Sequence, residues 1–311
     1  MKTYHYSVLK NETLENLNIK ETGVYVDATV GYAGHSKSIL EKCKKGYLFA
    51  FDEDANAVSY SQELLLTISD NFKIFRENFS NMKETLNKNG IKEVDGIIFD
   101  LGFSSPQIDN EDRGFSFMVD GPLDMRMNTE NEFSAKDIVN NYSEEKLWEI
   151  FFKYGEEKLS KIIARKIIEE RKTKEICTTF ELVEVIKKAT GAKYFYKNHP
   201  ERQIFQAIRI ETNRELDVLE NVLPDAIDLL KKGGRICVIT FHSLEDKIVK
   251  NIFKKYSEVD EMVKGMPIND IPEEYRPKIK LINKKPILPS LKELEENTRS
   301  HSAKLRVIER I

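Results

Sequence analysis

Residues 27–35 (DATVGYAGH) follow a short apolar run and set Gly31, Ala33 and Gly34 in a turn that opens a helical segment, with His35 just beyond. Glycine lets a chain turn tightly and lets backbone N–H groups approach a ligand that a Cβ would hold off. The spacing is not that of the dinucleotide fingerprint, and an ordinary strand-to-helix turn explains it equally well. Asp52 stands 21 residues beyond Gly31, at the end of the next apolar run. A carboxylate there can accept hydrogen bonds from both hydroxyls of an adenosine ribose. The pair points to an adenosine-containing cofactor without separating NAD from S-adenosylmethionine, and a solvated surface acid is the alternative.

Three further stretches follow strands or precede one. Asp100 opens residues 100–107 (DLGFSSPQ), where its carboxylate and the Gln107 amide can read the polar edge of an adenine or a substrate amine, with Ser104, Ser105 and Pro106 shaping the turn. A helix cap or Asx turn is the other reading. In residues 240–246 (TFHSLED), Ser243 with Asp246 reads as a capping box, while His242 can stand at a substrate pocket. A serine nucleophile with His242 is conceivable but disfavoured, since adjacent strand residues point to opposite faces and no nucleophile elbow is present. Residues 297–306 (NTRSHSAKLR) gather Arg299, His301, Lys304 and Arg306 among small polar side chains, a set suited to phosphate or to plain exposure. The histidines, His5, His35, His199, His242 and His301, show no metal-ligand spacing, so no bound metal is expected.

The elements that must position these residues alternate strand and helix. Apolar runs at 24–28, 47–51, 73–75 and 95–100 are separated by helical spacing at 36–45, 55–68 and 80–88. Such alternation implies a parallel sheet covered by helices on both faces. Residues 102–131 keep no period, yet their aromatic and Met content predicts order. From Ser134 to Gly191 the pattern is helical, with starts at Ser134, Ser143 and Thr179. An amphipathic stretch at 200–221, a helix at 225–232 stopped by Gly233, and strands at 235–241, 278–283 and 304–311 complete the chain. The expected fold class is α/β, a mostly parallel seven-stranded sheet interrupted by an all-helical insertion. The expected division is 1–108, a mainly helical substrate-facing 109–212, and 213–311.

With 311 residues, 40% hydrophobic and 32% charged, the composition excludes collagen-like and low-complexity classes. No apolar run approaches a membrane span and residues 1–6 (MKTYHY) have no signal-peptide core, so a cytoplasmic protein is expected. Cys43, Cys177 and Cys237 form no CxxC pair and are read as reduced packing residues. The net charge of −3 conceals local excess: residues 161–215 carry 13 basic against 8 acidic side chains, a net of +5, and 271–311 carry 10 against 6, a net of +4. Either stretch can face a polyanion or be a solvated helix face.

DATVGYAGHS, FDEDANA, DLGFSSPQID, RGFSF with DGPLDMRM, YGEE, GGRICVITFHSLED and RSHSAKLR occur in this order along nearly the whole chain. The set resembles the MraW/RsmH family of S-adenosylmethionine-dependent methyltransferases acting on small-subunit ribosomal RNA. The resemblance implies a class I (Rossmann-like) methyltransferase fold and methylation of the exocyclic N4 of one cytidine in the decoding region of 16S rRNA. Its partners would be S-adenosylmethionine and the small ribosomal subunit. Carried over by motif, the cofactor contacts are Ala33, Gly34, His35, Asp52, Phe79, Asp100 and Gln107. Ser7, Ala33 and His301 depart from the pattern, which commonly has proline, glycine and arginine there; Ala33 keeps the loop if its φ is negative.

Methyl transfer to an amine is an in-line displacement favoured by positioning and exclusion of water. An acceptor for the amine N–H is expected at Asp100 or the turn through Pro106, although the Asp/Asn-Pro-Pro-aromatic motif of amino-methyltransferases is absent. Arg113, Phe115 and Phe117, the basic insertion, His242, Arg299, His301 and Lys304 are expected to face RNA, with core packing the alternative for the two phenylalanines. Two other functions remain open at this level. A nicotinamide-dependent oxidoreductase shares the strand, turn and acid; a catalytically silent RNA-binding or ribosome-assembly protein would keep the fold and bind RNA without product.

Overall fold

The computed structural model describes residues 7–267 and 270–311, apart from the Ser105 side chain. The expectations for residues 1–6 and for His5 lie outside the described residues. In chain order the first elements are α1 (Lys10–Leu17), β1 (Val24–Asp27), α2 (Gly34–Lys42), β2 (Tyr47–Phe51), α3 (Ala55–Leu66), β3 (Phe72–Phe75), α4 (Met82–Lys88) and β4 (Val94–Asp100). There follow α5 (Ser105–Asp109), α6 (Ala135–Asn141), α7 (Glu144–Lys153), α8 (Ser160–Arg171), α9 (Thr179–Thr190), α10 (Ala192–Asn198) and α11 (Pro200–Asn213). The last are α12 (Glu215–Leu229), β5 (Leu230–Thr240), α13 (Ser243–Ser257), β6 (Ile279–Leu281), α14 (Leu291–Glu296) and β7 (Lys304–Arg310).

The chain divides into two compact units, Met1–Gly102 with Leu216–Ile311, and Phe103–Glu215. The first unit holds a sheet of order β3-β2-β1-β4-β5-β7-β6, parallel except that β7 runs antiparallel to both neighbours. Because successive strand side chains point to opposite faces, Phe49, Phe51, Phe99, Ile236 and Val238 enter one core with α4, α12 and α13. Leu48, Ala50, Ile98, Cys237 and Ile239 enter the other with α1, α2 and α3. Both faces are covered, which is why these strands read as continuous apolar runs. With this strand order, the fold is that of a class I Rossmann-like methyltransferase.

The second unit has its own apolar core, in which Leu147, Ile163, Ile167, Leu182 and Ile208 meet from α7, α8, α9 and α11. A bridge between Pro122 and Thr178 pins the irregular stretch before α6.

Several local expectations are corrected. Thr178, not Thr179, caps α9, sharing a capping box with Glu181, while Thr179 donates to Val119. His242 with Glu245, not Ser243 with Asp246, makes the box that starts α13; Asp246 instead binds Arg306. The helix read at 225–232 is the end of α12, and β5 begins at Leu230, paired with Val94 ahead of a register shift. Arg214 at φ 51° breaks the stretch read as continuous over 200–221. The loop over 102–131 contains α5 and a 3-10 turn, Glu111–Arg113.

Candidate active site

Ligands in an open α/β sheet bind beyond the carboxyl ends of the strands, at the point where strand order reverses. Here that point lies between β1 and β4. The loop leaving β1 is bonded to the strands on both sides: Ala28 N–H donates to Ile98 O and Val30 N–H to Phe51 O, each at 2.9 Å. Gly31 takes φ 47°, and its N–H donates to Asp52 Oδ2 at 2.8 Å while Ser61 Oγ donates to its carbonyl at 2.6 Å. Asp27 closes the loop from below, accepting from Ser36 Oγ at 2.6 Å and Thr29 N–H at 3.1 Å. Thr29 Oγ1 in turn accepts from Asp100 N–H at 2.8 Å. One loop therefore ties together the ends of β1, β2 and β4.

Ala33 caps α2 with φ 59°, so the condition of a negative φ is not met. A Cβ in the left-handed region costs about 1–2 kcal/mol. The loop holds it there because Ala33 N–H donates to Val30 O at 2.7 Å and its methyl is fully buried. Gly34 begins α2, and the buried His35 places Nδ1 3.5 Å from Asp100 Oδ2.

Burial pushes Asp27 and Asp52 up to about 6, despite the backbone N–H groups from which each accepts and the Ser36 hydroxyl that donates to Asp27. Asp100 is pushed well above the usual carboxylate range, by burial first and then by Asp27, Glu245 and Glu293. Its Oδ1 is buried without a hydrogen-bond partner. A buried acceptor left unsatisfied costs about 1–3 kcal/mol. The rim is therefore suited to a positively charged ligand that also carries N–H or O–H donors, as S-adenosylmethionine does. Phe79, in the 3-10 turn Phe79–Asn81 after β3, packs edge-on to Phe99 with ring centroids 5.6 Å apart.

The remaining candidates divide. Gln107 belongs to the second unit, where its Oε1 accepts from Ser104 N–H at 2.9 Å in the box starting α5. Arg113 and Phe115, expected to face RNA, are each 8% exposed. Arg113 Nη2 donates to the carbonyls of Arg126 at 2.7 Å and Met127 at 3.1 Å, and Phe115 stacks on Phe103. Phe117 packs edge-on to Phe205. In the first unit, Arg299 and His301 are exposed beside β7. Lys304 lies half-buried, 3.4 Å from Asp246, and Arg306 is held by the same carboxylate at 2.6 and 3.2 Å.

Three acids were missed as site residues. Asp27 carried a signal, since it closes β1 as Asp100 closes β4. Glu245 and Glu293 carried none: Glu293 reaches across 284 residues of sequence to accept Leu9 N–H at 2.7 Å.

The model of the MraW methylase family matches residues 2–311. The chain belongs to the MraW methylase family. It is a methyltransferase with S-adenosylmethionine as methyl donor, and the nicotinamide-dependent alternative falls away. Among solved structures, this methylase is similar to a Clostridium thermocellum protein assigned as an rRNA methylase, with 12% identity, 98% of each chain covered and a TM-score of 0.45. An rRNA methylase from Streptococcus thermophilus shows 11% identity over 97% of this chain and 95% of that one, with a TM-score of 0.41. A Streptococcus mutans protein assigned as a methyltransferase and solved with SAH shows 11% identity over 98% and 99%, with a TM-score of 0.44. Among the described residues, no helix is long and apolar enough to cross a membrane.

Proposed function

We propose that this methylase modifies the exocyclic N4 of one cytidine in the decoding region of 16S rRNA, acting in the cytoplasm on the small ribosomal subunit. The observation that carries the reading is the buried, unpartnered Asp100 Oδ1 within an acidic rim at the strand-order reversal. Asp52 would accept from the ribose hydroxyls, the turn through Ala33 and Gly34 would offer backbone N–H groups, and His35 and Asp100 would help to hold the cofactor. Phe79 would serve the adenine. When bound, S-adenosylmethionine supplies a methyl carbon made electrophilic by its positively charged sulfur.

The chain's own contribution is positioning and charge. The cytosine amine is conjugated with its ring and is a poor nucleophile. An acceptor on one amine N–H localises the lone pair, and Asp100 Oδ1 is an acceptor with nothing to accept. A neighbouring positive charge favours the ionised carboxylate, opposing the burial that raises Asp100. As the carbon–nitrogen bond forms the carbon–sulfur bond breaks, leaving the neutral thioether, and the N4 proton then passes to the Asp100 carboxylate. On the RNA side, Arg299, His301 and Lys304 contribute the cationic loop, and the basic excess of residues 161–215 contributes attraction to phosphate.

Incubation with labelled S-adenosylmethionine and small subunits lacking the modification, followed by mapping of the labelled nucleotide, tests the proposal. Label on a single decoding-region cytidine is expected. RNA association without label would favour the silent assembly protein, and label on another base would overturn the substrate assignment.

A further inference from the structure

Histidine is not among the preferred N-caps, and Ser243, which is, stands next to the residue that does the capping. His242 lies in the short turn between β5 and α13 and is held from several directions. The Glu245 side chain, 2% exposed, accepts from the N–H groups of Phe241 at 2.7 Å and His242 at 3.2 Å through Oε2. Glu245 N–H donates to His242 Nδ1 at 3.4 Å. With Nδ1 acting as acceptor, the neutral ring carries its hydrogen on Nε2. That nitrogen is buried and makes no hydrogen bond, although Glu245 Oε1 lies 3.1 Å away as an ion-pair partner of the charged ring.

Asp100 ends the neighbouring parallel strand, where it pairs with Ile239. Leu101 N–H donates to Ile239 O at 3.1 Å, and the Phe241 ring would lie 3.6 Å from a Cβ on Gly102. The same end of two adjacent strands thus presents two buried groups that make no hydrogen bond, the acceptor Asp100 Oδ1 and the donor His242 Nε2–H.

We infer that His242 donates to the ring nitrogen N3 of the target base while Asp100 accepts from its amine, so that the pair selects cytidine over uridine. The inference rests on the reading that the substrate is a cytidine. Cytosine presents an N4–H donor beside the N3 acceptor, whereas uracil presents the O4 acceptor beside an N3–H donor. Uracil would set acceptor against acceptor and donor against donor, leaving buried polar groups unpaired, which is the strongest source of discrimination a pocket has. Glu245 is a positioning residue: it holds the ring and its tautomer and touches no substrate atom.

The test uses small subunits reconstituted with cytidine or 3-deazacytidine at the target position, the latter having a C–H in place of N3. The intact methylase should lose about 30-fold in kcat/KM on the deaza substrate, the loss of one buried hydrogen bond. His242→Ala should lose a similar factor on cytidine and little more on 3-deazacytidine. His242→Gln, which keeps an N–H donor, should recover part of the loss. Glu245→Ala should behave as His242→Ala, with Glu245→Gln restoring activity, and the S-adenosylmethionine Kd of the His242 variants should stay within about twofold of wild type. Independent, multiplying losses from the base and the side chain, or an unimpaired wild type on 3-deazacytidine, would overturn the inference and leave the cytidine proposal standing. No label on cytidine with the wild-type protein would sink both.

Discussion

Charged side chains are abundant in both units, but the sheet rim and the helical unit put them to opposite uses. At the rim, Asp27 is 1% exposed and Asp100 keeps one oxygen unsatisfied, so burial pushes both carboxyls upward. On the helical unit, Lys166 meets Glu170 at 3.0 Å and Lys188 meets Glu170 at 3.1 Å, in pairs open to water. Such exposed pairs contribute about 0.2–1 kcal/mol and are screened by salt. The lesson is that desolvation, not charge count, marks where chemistry is prepared. Arg113 makes the same point in reverse, since its buried guanidinium donates to two backbone carbonyls.

The largest effect expected to sharpen this contrast is at Asp52. Asp52→Ala should weaken S-adenosylmethionine binding about 30- to 100-fold, the loss of charge-assisted hydrogen bonds. Lys161→Ala, on the helical unit, should change that Kd less than about twofold. Calorimetry decides, and equal effects would break the comparison.

Next comes a pair of arginines. Arg113→Ala should cost about 2–3 kcal/mol in denaturant unfolding because it orphans two carbonyls. Arg299→Ala should leave stability within about 0.5 kcal/mol and instead reduce the salt dependence of RNA binding by about one ion. A stable Arg113 variant with weakened RNA binding would reverse the assignment.

The third expectation concerns pH. Asp52 titrates near about 6 in the fold. Cofactor affinity should therefore fall about tenfold per unit as pH drops below that value, and level off above about 7. Stability runs the other way for Asp27, whose folded value of about 6 exceeds its unfolded 3.8. Its contribution is full below 3.8 and is lost as pH rises through about 6, so Asp27→Asn should flatten the stability curve across that window. The smallest effect is at Ala33. Ala33→Gly should raise stability by about 1 kcal/mol by relieving a Cβ at positive φ, seen as a higher Tm.

Sequence reading recovered the central strands well because they are apolar on both faces and bounded by turns; β2 falls at residues 47–51 as expected. It erred where equivalent local signals competed. Ser243 and His242 both lie ahead of an acid at helical spacing, and Thr178 and Thr179 are interchangeable as caps until the backbone shows which is extended. The aromatic content of residues 102–131 predicted order, but whether Phe115 would meet solvent or core depended on α-helices distant in sequence.

The chain's own pattern of apolar runs, turns and motifs was enough to specify a sheet with helices on both faces, an inserted helical unit, and Gly31 and Asp52 at one rim, because each is written in local spacing. Only the folded structure decided that Asp27, Asp100, Glu245 and Glu293 share one electrostatic environment, that Ala33 is held at positive φ, and that the Arg113 guanidinium donates to a backbone carbonyl. The physical reason is that desolvation depends on everything packed around a group, and those neighbours arrive from strands and helices far apart in sequence.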